Sequence, residues 1–328
     1  MHDTTVANGI LTFTPAYFGR VWGGDAFREK LGLGVSDTRP TGEAWLIADH
    51  PSHESRMPGN GATLRDLMEI DATGLLGRKP LPARGNRFPL LLKLLDCHEL
   101  LSVQVHPDDA LADRLGEADG GKTEMWYFLE AEPDAEIICG LAKGVTRERF
   151  QVAAQDGSIS TLLRRWPVKA GDAALVSART VHALGKGLVV AEIQQTSDVT
   201  YRVYDWDRVG ANGQPRELHL DKALECIDFN TPFQGLLQPK PLSADGHSSQ
   251  LCRCNYFAAD LHELDGPERD VITDGDSFHI LLSTAGNVAV AAADSQVSLQ
   301  RGQAALVPGR ETSFTLSGNG SVLDFHVL

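Results

Sequence analysis

Apolar positions in this chain recur mainly at intervals of two, in short runs set off by frequent glycine and proline, 32 and 16 residues respectively. The runs AEIICGL, DAALVSA, LVVAEIQQ, TYRVYDW, FHILLS, NVAVAAA, QAALVPG and SVLDFHVL alternate or are rich in β-branched residues, which predicts strands. Their spacing is that of a sandwich or barrel. Helical spacing of apolar residues is confined to ATLRDLMEI, DDALADRLGEA, TRERFQVAAQDG and DKALECIDF. The predicted class is mainly β, with a few helices.

Two segments share one layout. RWPVKAGDAALVSARTVHAL, ending at Leu184, and VSLQRGQAALVPGRETSFTL, ending at Leu316, each place a strand after a glycine turn, then a small-residue corner, then another strand. Two related β-units of double-stranded β-helix (jelly-roll) type are therefore expected. The first corner leads to His182, and the second has Phe314 near the equivalent place. A metal site would then belong to the first unit only.

The segment LSVQVHPDDA sharpens that expectation. Residues two apart on a strand share a face, so Ser102, Gln104 and His106 project together while Val103 and Val105 point the other way. Two polar side chains inside a sheet need partners, since an unpaired buried polar group costs roughly 1–3 kcal/mol. Glu124, in GGKTEMWYFLE, and His182 could supply them through a shared metal. Two imidazoles, a carboxylate and an amide oxygen suit Zn²⁺, and also Fe²⁺ or Mn²⁺. A lone strand histidine is more often a hydrogen-bonded core residue than a ligand; the joint placement of His106 and His182 is what favours the metal. His2, His50, His53, His98, His219, His247, His262 and His279 show no such framing.

Composition narrows the class. With 42% hydrophobic and 23% charged residues the chain reads as a soluble globular protein, expected in the cytoplasm, with no apolar run near the ~20 residues that span a bilayer. The start, MHDTTVANGILTF, lacks the basic-then-apolar order of a signal peptide. Five scattered cysteines argue against a disulfide framework, and the Cys252/Cys254 pair fits alternating strand positions. A net charge of −14, with no basic cluster, argues against a nucleic-acid partner. An anion could still bind where local cations override the global field.

FPLLLKLLDCHELLSVQVHPDD, GGKTEMWYFL, TVHALG and QQTSDVTYRVYDWDR together resemble the type I mannose-6-phosphate isomerases (phosphomannose isomerases), as do VWGGDAF and GEAWLIADHP. The resemblance implies a cupin-type metalloenzyme of carbohydrate (mannose) metabolism, interconverting mannose 6-phosphate and fructose 6-phosphate. It implies one Zn²⁺ per chain on Gln104, His106, Glu124 and His182. Only 57 residues lie between Glu124 and His182, so the chain resembles the short form without an inserted helical domain. Gly121 stands where longer members commonly have a histidine, and no role of that histidine transfers. The expected division is a catalytic cupin domain over 1–235 and a C-terminal cupin-like β domain without metal ligands over 236–328.

Moving a proton between C2 and C1 through an enediol requires a proton carrier, positive charge for the developing oxyanion and a cationic phosphate site. By resemblance the catalytic groups are Arg202, Lys122 and Asp198, with the general base open among Lys122, Asp198 and a metal-linked water. Lys93, Ser102 and Glu43 are candidates for substrate binding. A structural Asp198–Arg202 salt bridge is the plain alternative. Two other functions share the scaffold: an Fe-dependent cupin dioxygenase and a non-catalytic sugar-phosphate-binding cupin. The Lys93, Lys122 and Arg202 set favours the isomerase, because an apolar dioxygenase substrate needs no cations. No membrane partner is expected, and the chain is read as a monomer or weak homodimer.

Overall fold

A computed structural model describes residues 9–35, 40–210 and 213–328; His2 and most of the N-terminal stretch lie outside them. Three large antiparallel sheets make up the architecture. The first runs in the order Ala16–Gly24, Thr41–Ile47, Leu90–Cys97, Leu188–Gln195, Glu124–Ala131, Ala173–Val176. The second runs Tyr201–Tyr204, Val103–Val105, His182–Leu184, Glu136–Leu141, Leu163–Pro167. Neighbours in the order are far apart in sequence, which is the crossing connection of a jelly roll.

Alternation decides which side chains meet. In the first sheet Leu92, Leu94, Met125, Tyr127, Val189 and Ile193 pack outward against the C-terminal unit. Leu95, Cys97, Trp126, Phe128, Leu188 and Val190 point inward with Leu184, Ile137 and Cys139 of the second sheet. The outer face of the second sheet, with Val103, Val105, Ala183 and Val203, is covered by the helices Arg147–Asp156 and Leu220–Cys226 through Phe150 and Leu224. Between Glu124 and His182 the only α-helix is Arg147–Asp156, in keeping with the short form.

The C-terminal sheet is built on two strands of 14 residues, His279–Ala292 and Ser313–His326, paired along most of their length. The runs FHILLS and NVAVAAA, separate in the sequence pattern, belong to one strand, with a register shift between Ser283 and Ala285. Gly286 and Gly320 make this possible: a Cβ at Gly286 would meet Asn319 O at 2.0 Å, and one at Gly320 would meet Ala285 O at 2.0 Å. The glycines here permit two backbones to cross closely rather than ending a strand. The repeated corner is present in both units, at Gly171 (φ +89°) and Gly302 (φ +82°), each ahead of an Ala-Ala-Leu-Val strand.

All four sequence-predicted helices form, at Leu64–Leu76, Asp109–Leu115, Arg147–Asp156 and Leu220–Cys226. The first opens on a reciprocal cap: Asp66 N donates to Thr63 Oγ1 at 3.0 Å and Thr63 N to Asp66 Oδ2 at 2.8 Å. Its far end joins the C-terminal unit, where Phe278 N donates to Leu76 O at 2.9 Å. The units are further tied by Leu11, bridged to Leu306, and by Ile10, which packs inside the C-terminal unit.

Candidate active site

Pro107 ends the strand Val103–Val105, and Asp108 caps the helix Asp109–Leu115 by accepting from Leu111 N at 2.8 Å. Ser102, Gln104 and His106 therefore face the interior together, as their spacing predicts. His182 pairs in register with Gln104 on the adjacent strand. Glu124 opens the strand Glu124–Ala131 on the opposite sheet. The two sheets thus hold the donor groups across a narrow interior.

His106 Nε2 lies 3.6 Å from Glu124 Oε2, and His182 Nε2 lies 3.3 Å from Glu124 Oε1. Each imidazole donates its other nitrogen to a backbone carbonyl: His106 Nδ1 to Val199 O and His182 Nδ1 to Thr180 O, both at 2.8 Å. That fixes the tautomer and aims both Nε2 lone pairs at Glu124, the arrangement by which metal-binding histidines are oriented. Burial first, and the Lys122 charge as well, keeps both rings neutral: His106 is pushed well below its ordinary range and His182 down to about 4. Glu124 Oε1 is buried with no hydrogen-bond partner, and Oε2 has only the Lys122 ammonium beside it. The Gln104 amide nitrogen is 3.3 Å from His182 Nε2; rotating the amide end for end would bring its oxygen to the same place. Two neutral imidazoles, a buried carboxylate and an amide are a donor set that a divalent cation satisfies.

Lys122 is buried beside this group, with Nζ 2.7 Å from Glu124 Oε2 and 3.3 Å from His106 Nε2. Burial alone would lower its pKa, but the carboxylates of Glu124 and Glu192 outweigh it and hold the ammonium protonated. Its backbone is placed by Gly121. A Cβ there would meet Asp109 N at 2.5 Å, so the close approach of the helix Asp109–Leu115 leaves no room for a larger residue. Gly121 N donates to Asp109 Oδ1 at 2.7 Å, and Lys122 N to Pro107 O at 2.9 Å.

Outward from the donor group opens a cleft of about 390 Å³, within the size range of small-molecule sites. Lys93, Ser102, Gln104, Lys122, Asp198, Arg202 and Glu43 all line it. Lys93 Nζ lies 4.5 Å from the Trp45 ring centre, 3.8 Å from Asp198 Oδ1 and 3.9 Å from Glu192 Oε1. Asp198 thus pairs with Lys93, and Arg202 instead donates to Glu217 O at 2.8 Å while its Nε is buried without a partner. Glu43 is held by Arg20 through two contacts, 2.7 and 3.2 Å, and accepts from Trp45 Nε1 at 2.8 Å. Burial would raise Glu43, yet Lys93 and Arg20 hold it below the ordinary carboxylate range. Glu43 thus fixes the Arg20 guanidinium at the cleft.

Three charged lining residues, Arg20, Glu192 and Arg216, are absent from the sequence-derived set. Glu192 is buried between Lys93 and Lys122, accepts from Trp126 Nε1 at 3.0 Å, and is raised chiefly by burial. Its signal was available, a single carboxylate on the inward face of the apolar strand Leu188–Gln195. Arg20 and Arg216 carried none. Arg216 is aimed by a two-point contact to Asp205, at 2.6 and 2.5 Å, and only the folded chain brings it to the cleft. Arg20, Lys93, Lys122, Arg202 and Arg216 give this acidic chain a local positive field.

Residues 10–134 match the family described as phosphomannose isomerase type I, catalytic domain, and residues 247–327 match mannose-6-phosphate isomerase, cupin domain. The chain is 40% identical to mannose-6-phosphate isomerase ManA of Bacillus subtilis, over 78% of this chain and 80% of that one. It is 34% identical to the mannose-6-phosphate isomerase of Streptococcus mutans, over 94% and 95% of the two chains. The crystal structure of the mannose 6-phosphate isomerase from Bacillus subtilis superposes with a TM-score of 0.88 at 34% identity, covering 98% of this chain and all (100%) of the other.

Proposed function

The chain belongs to the type I mannose-6-phosphate isomerase family, and from that premise we propose a zinc-dependent interconversion of mannose 6-phosphate and fructose 6-phosphate through an enediol. Gln104, His106, Glu124 and His182 would hold the one Zn²⁺ of this site. When bound, the ion would polarise sugar oxygens and add positive charge where the enediolate forms. The observation that carries the reading is the convergence of both histidine Nε2 atoms on the buried Glu124, beside a cleft whose five cations outnumber its three carboxylates in a chain of net charge −14.

The residues divide the work by depth. Lys122, buried and cationic, donates to the sugar oxygens nearest the donor group. Arg202, with one face of its guanidinium unpaired, stabilises the developing oxyanion. Glu192 is the proton carrier: burial first, and the neighbouring Glu124 as well, raise its carboxyl above the ordinary carboxylate range, which makes it the better proton acceptor of the cleft's carboxylates. Asp198 acts beside it by holding Lys93 in the cleft. Ser102 supplies a hydroxyl to the sugar. Arg20 and Arg216 have more exposed side chains, 36% and 23%, against 5% for Lys93, and they take the phosphate at the mouth. We assign this chemistry to residues 1–235 and a mainly supporting role to 236–328.

Incubation with mannose 6-phosphate in D₂O, followed by NMR, tests the reading. Fructose 6-phosphate should form, with solvent deuterium entering at C1. No conversion in the zinc-supplied sample refutes the proposal.

A further inference from the structure

A second group of metal-competent side chains lies in the C-terminal unit, where the sequence shows no framing for it. We infer that His262, His279, Asp324 and His326 form a divalent-cation site distinct from the active site. Asp324 is 1% exposed and points inward among Leu264, Leu281, Phe314 and Val322 of that unit's core. A carboxylate there needs compensating positive charge. His279 Nδ1 lies within hydrogen-bonding distance, 2.7 and 2.9 Å from the two Asp324 oxygens.

One hydrogen-bonded histidine does not account for the other two. His262 Nε2 stands 3.7 Å from Asp324 Oδ2, and His326 Nδ1 stands 3.8 Å from Asp324 Oδ1. Both nitrogens are buried and have no hydrogen-bond partner. Ser248 Oγ, 2.8 Å from His262 Nδ1, holds that ring with Nε2 toward the carboxylate. His326 stacks on His279 with ring centres 4.8 Å apart, and Phe314 closes the side of His279 at 5.2 Å. Phe314 stands near the place equivalent to His182, and the candidate ligands here occupy other positions.

One donor atom each from His279, Asp324 and His326 lie within 4.8 Å of one another. Donors about 2.1 Å from a shared metal stand about 3.4 Å apart in a tetrahedron. Small side-chain rotations close that difference, with His262 completing the set. Three imidazoles and a carboxylate suit Zn²⁺, Co²⁺, Mn²⁺ or Fe²⁺. The ligands come from the strands Ala258–Leu264, His279–Ala292 and Ser313–His326, so an ion would clamp the two long strands to their neighbour.

Chelator-stripped protein titrated with Co²⁺, with bound metal counted after dialysis, tests the assignment. Wild type should bind two equivalents. His182→Ala, which damages the active-site donors, should still bind one. His262→Ala/His326→Ala should bind one and keep isomerase activity. A wild type that binds a single equivalent, a His182→Ala variant that binds none, or a double variant that still binds two overturns the assignment. Should the double variant not fold, the first two counts decide.

Discussion

His182 Nε2 and Glu124 Oε1 face each other at 3.3 Å from opposite sheets, and Glu124 Oε1 has no hydrogen-bond partner. The His182 proton is committed to Thr180 O, so a lone pair confronts a carboxylate in a fully buried place. Lys122 compensates the carboxylate at Oε2, 2.7 Å away, and a divalent cation between His182 Nε2 and Oε1 would satisfy the facing pair.

Arg202→Ala should lower kcat about 10²- to 10³-fold, the usual consequence of removing one oxyanion donor. Bound metal should be unchanged, because the Arg202 side chain donates to Glu217 O and its pairing with Gln104 is through the backbone, which the substitution keeps. Steady-state kinetics with metal analysis on the same preparation check both halves.

Glu192→Gln and Asp198→Asn separate the two carboxylates of the cleft. If Glu192 carries the proton, its amide variant should lose about 10²- to 10⁴-fold in kcat. Asp198→Asn should act mainly on KM, through the loosened Lys93. The reverse pattern would move the proton to Asp198.

The pH dependence of the stripped protein has a definite sign. His182 titrates near 6.5 when exposed and is pushed down to about 4 by burial in the fold. Between those values the unfolded chain binds the extra proton and the native chain does not. Stability should therefore be full above pH 6.5 and fall as pH drops toward 4. Denaturant midpoints across that window should show the slope, and His182→Gln should reduce it.

Thr63→Ala removes the side-chain half of the reciprocal cap on the helix Leu64–Leu76. A loss of about 1 kcal/mol in unfolding free energy is expected. Turnover should be unaffected, since Thr63 is remote from the residues of the cleft.

How much was legible in sequence followed from periodicity. Ser102, Gln104 and His106 are two apart on one strand, so their common face could be read directly, and so could the helices and the repeated corner before Gly171 and Gly302. Glu192 obeys the same rule and was legible in principle. Arg20 and Arg216 were not, because the cleft collects them from segments whose only relation is spatial. The cluster of His262, His279, Asp324 and His326 escaped for a related reason: comparison with the first unit drew attention to Phe314, while the ligand candidates occupy other positions. Gly286 and Gly320 misled in the opposite direction, since a glycine that admits a crossing backbone reads like one that ends a strand.

The central claim is tested most directly by the rate of mannose 6-phosphate isomerisation in chelator-stripped protein before and after zinc is restored. Activity should be absent from the stripped protein and return with zinc in wild type, while His182→Ala should stay inactive under both conditions. An unchanged rate after stripping, or a His182→Ala variant as active as wild type, would contradict the metal-dependent site on Gln104, His106, Glu124 and His182.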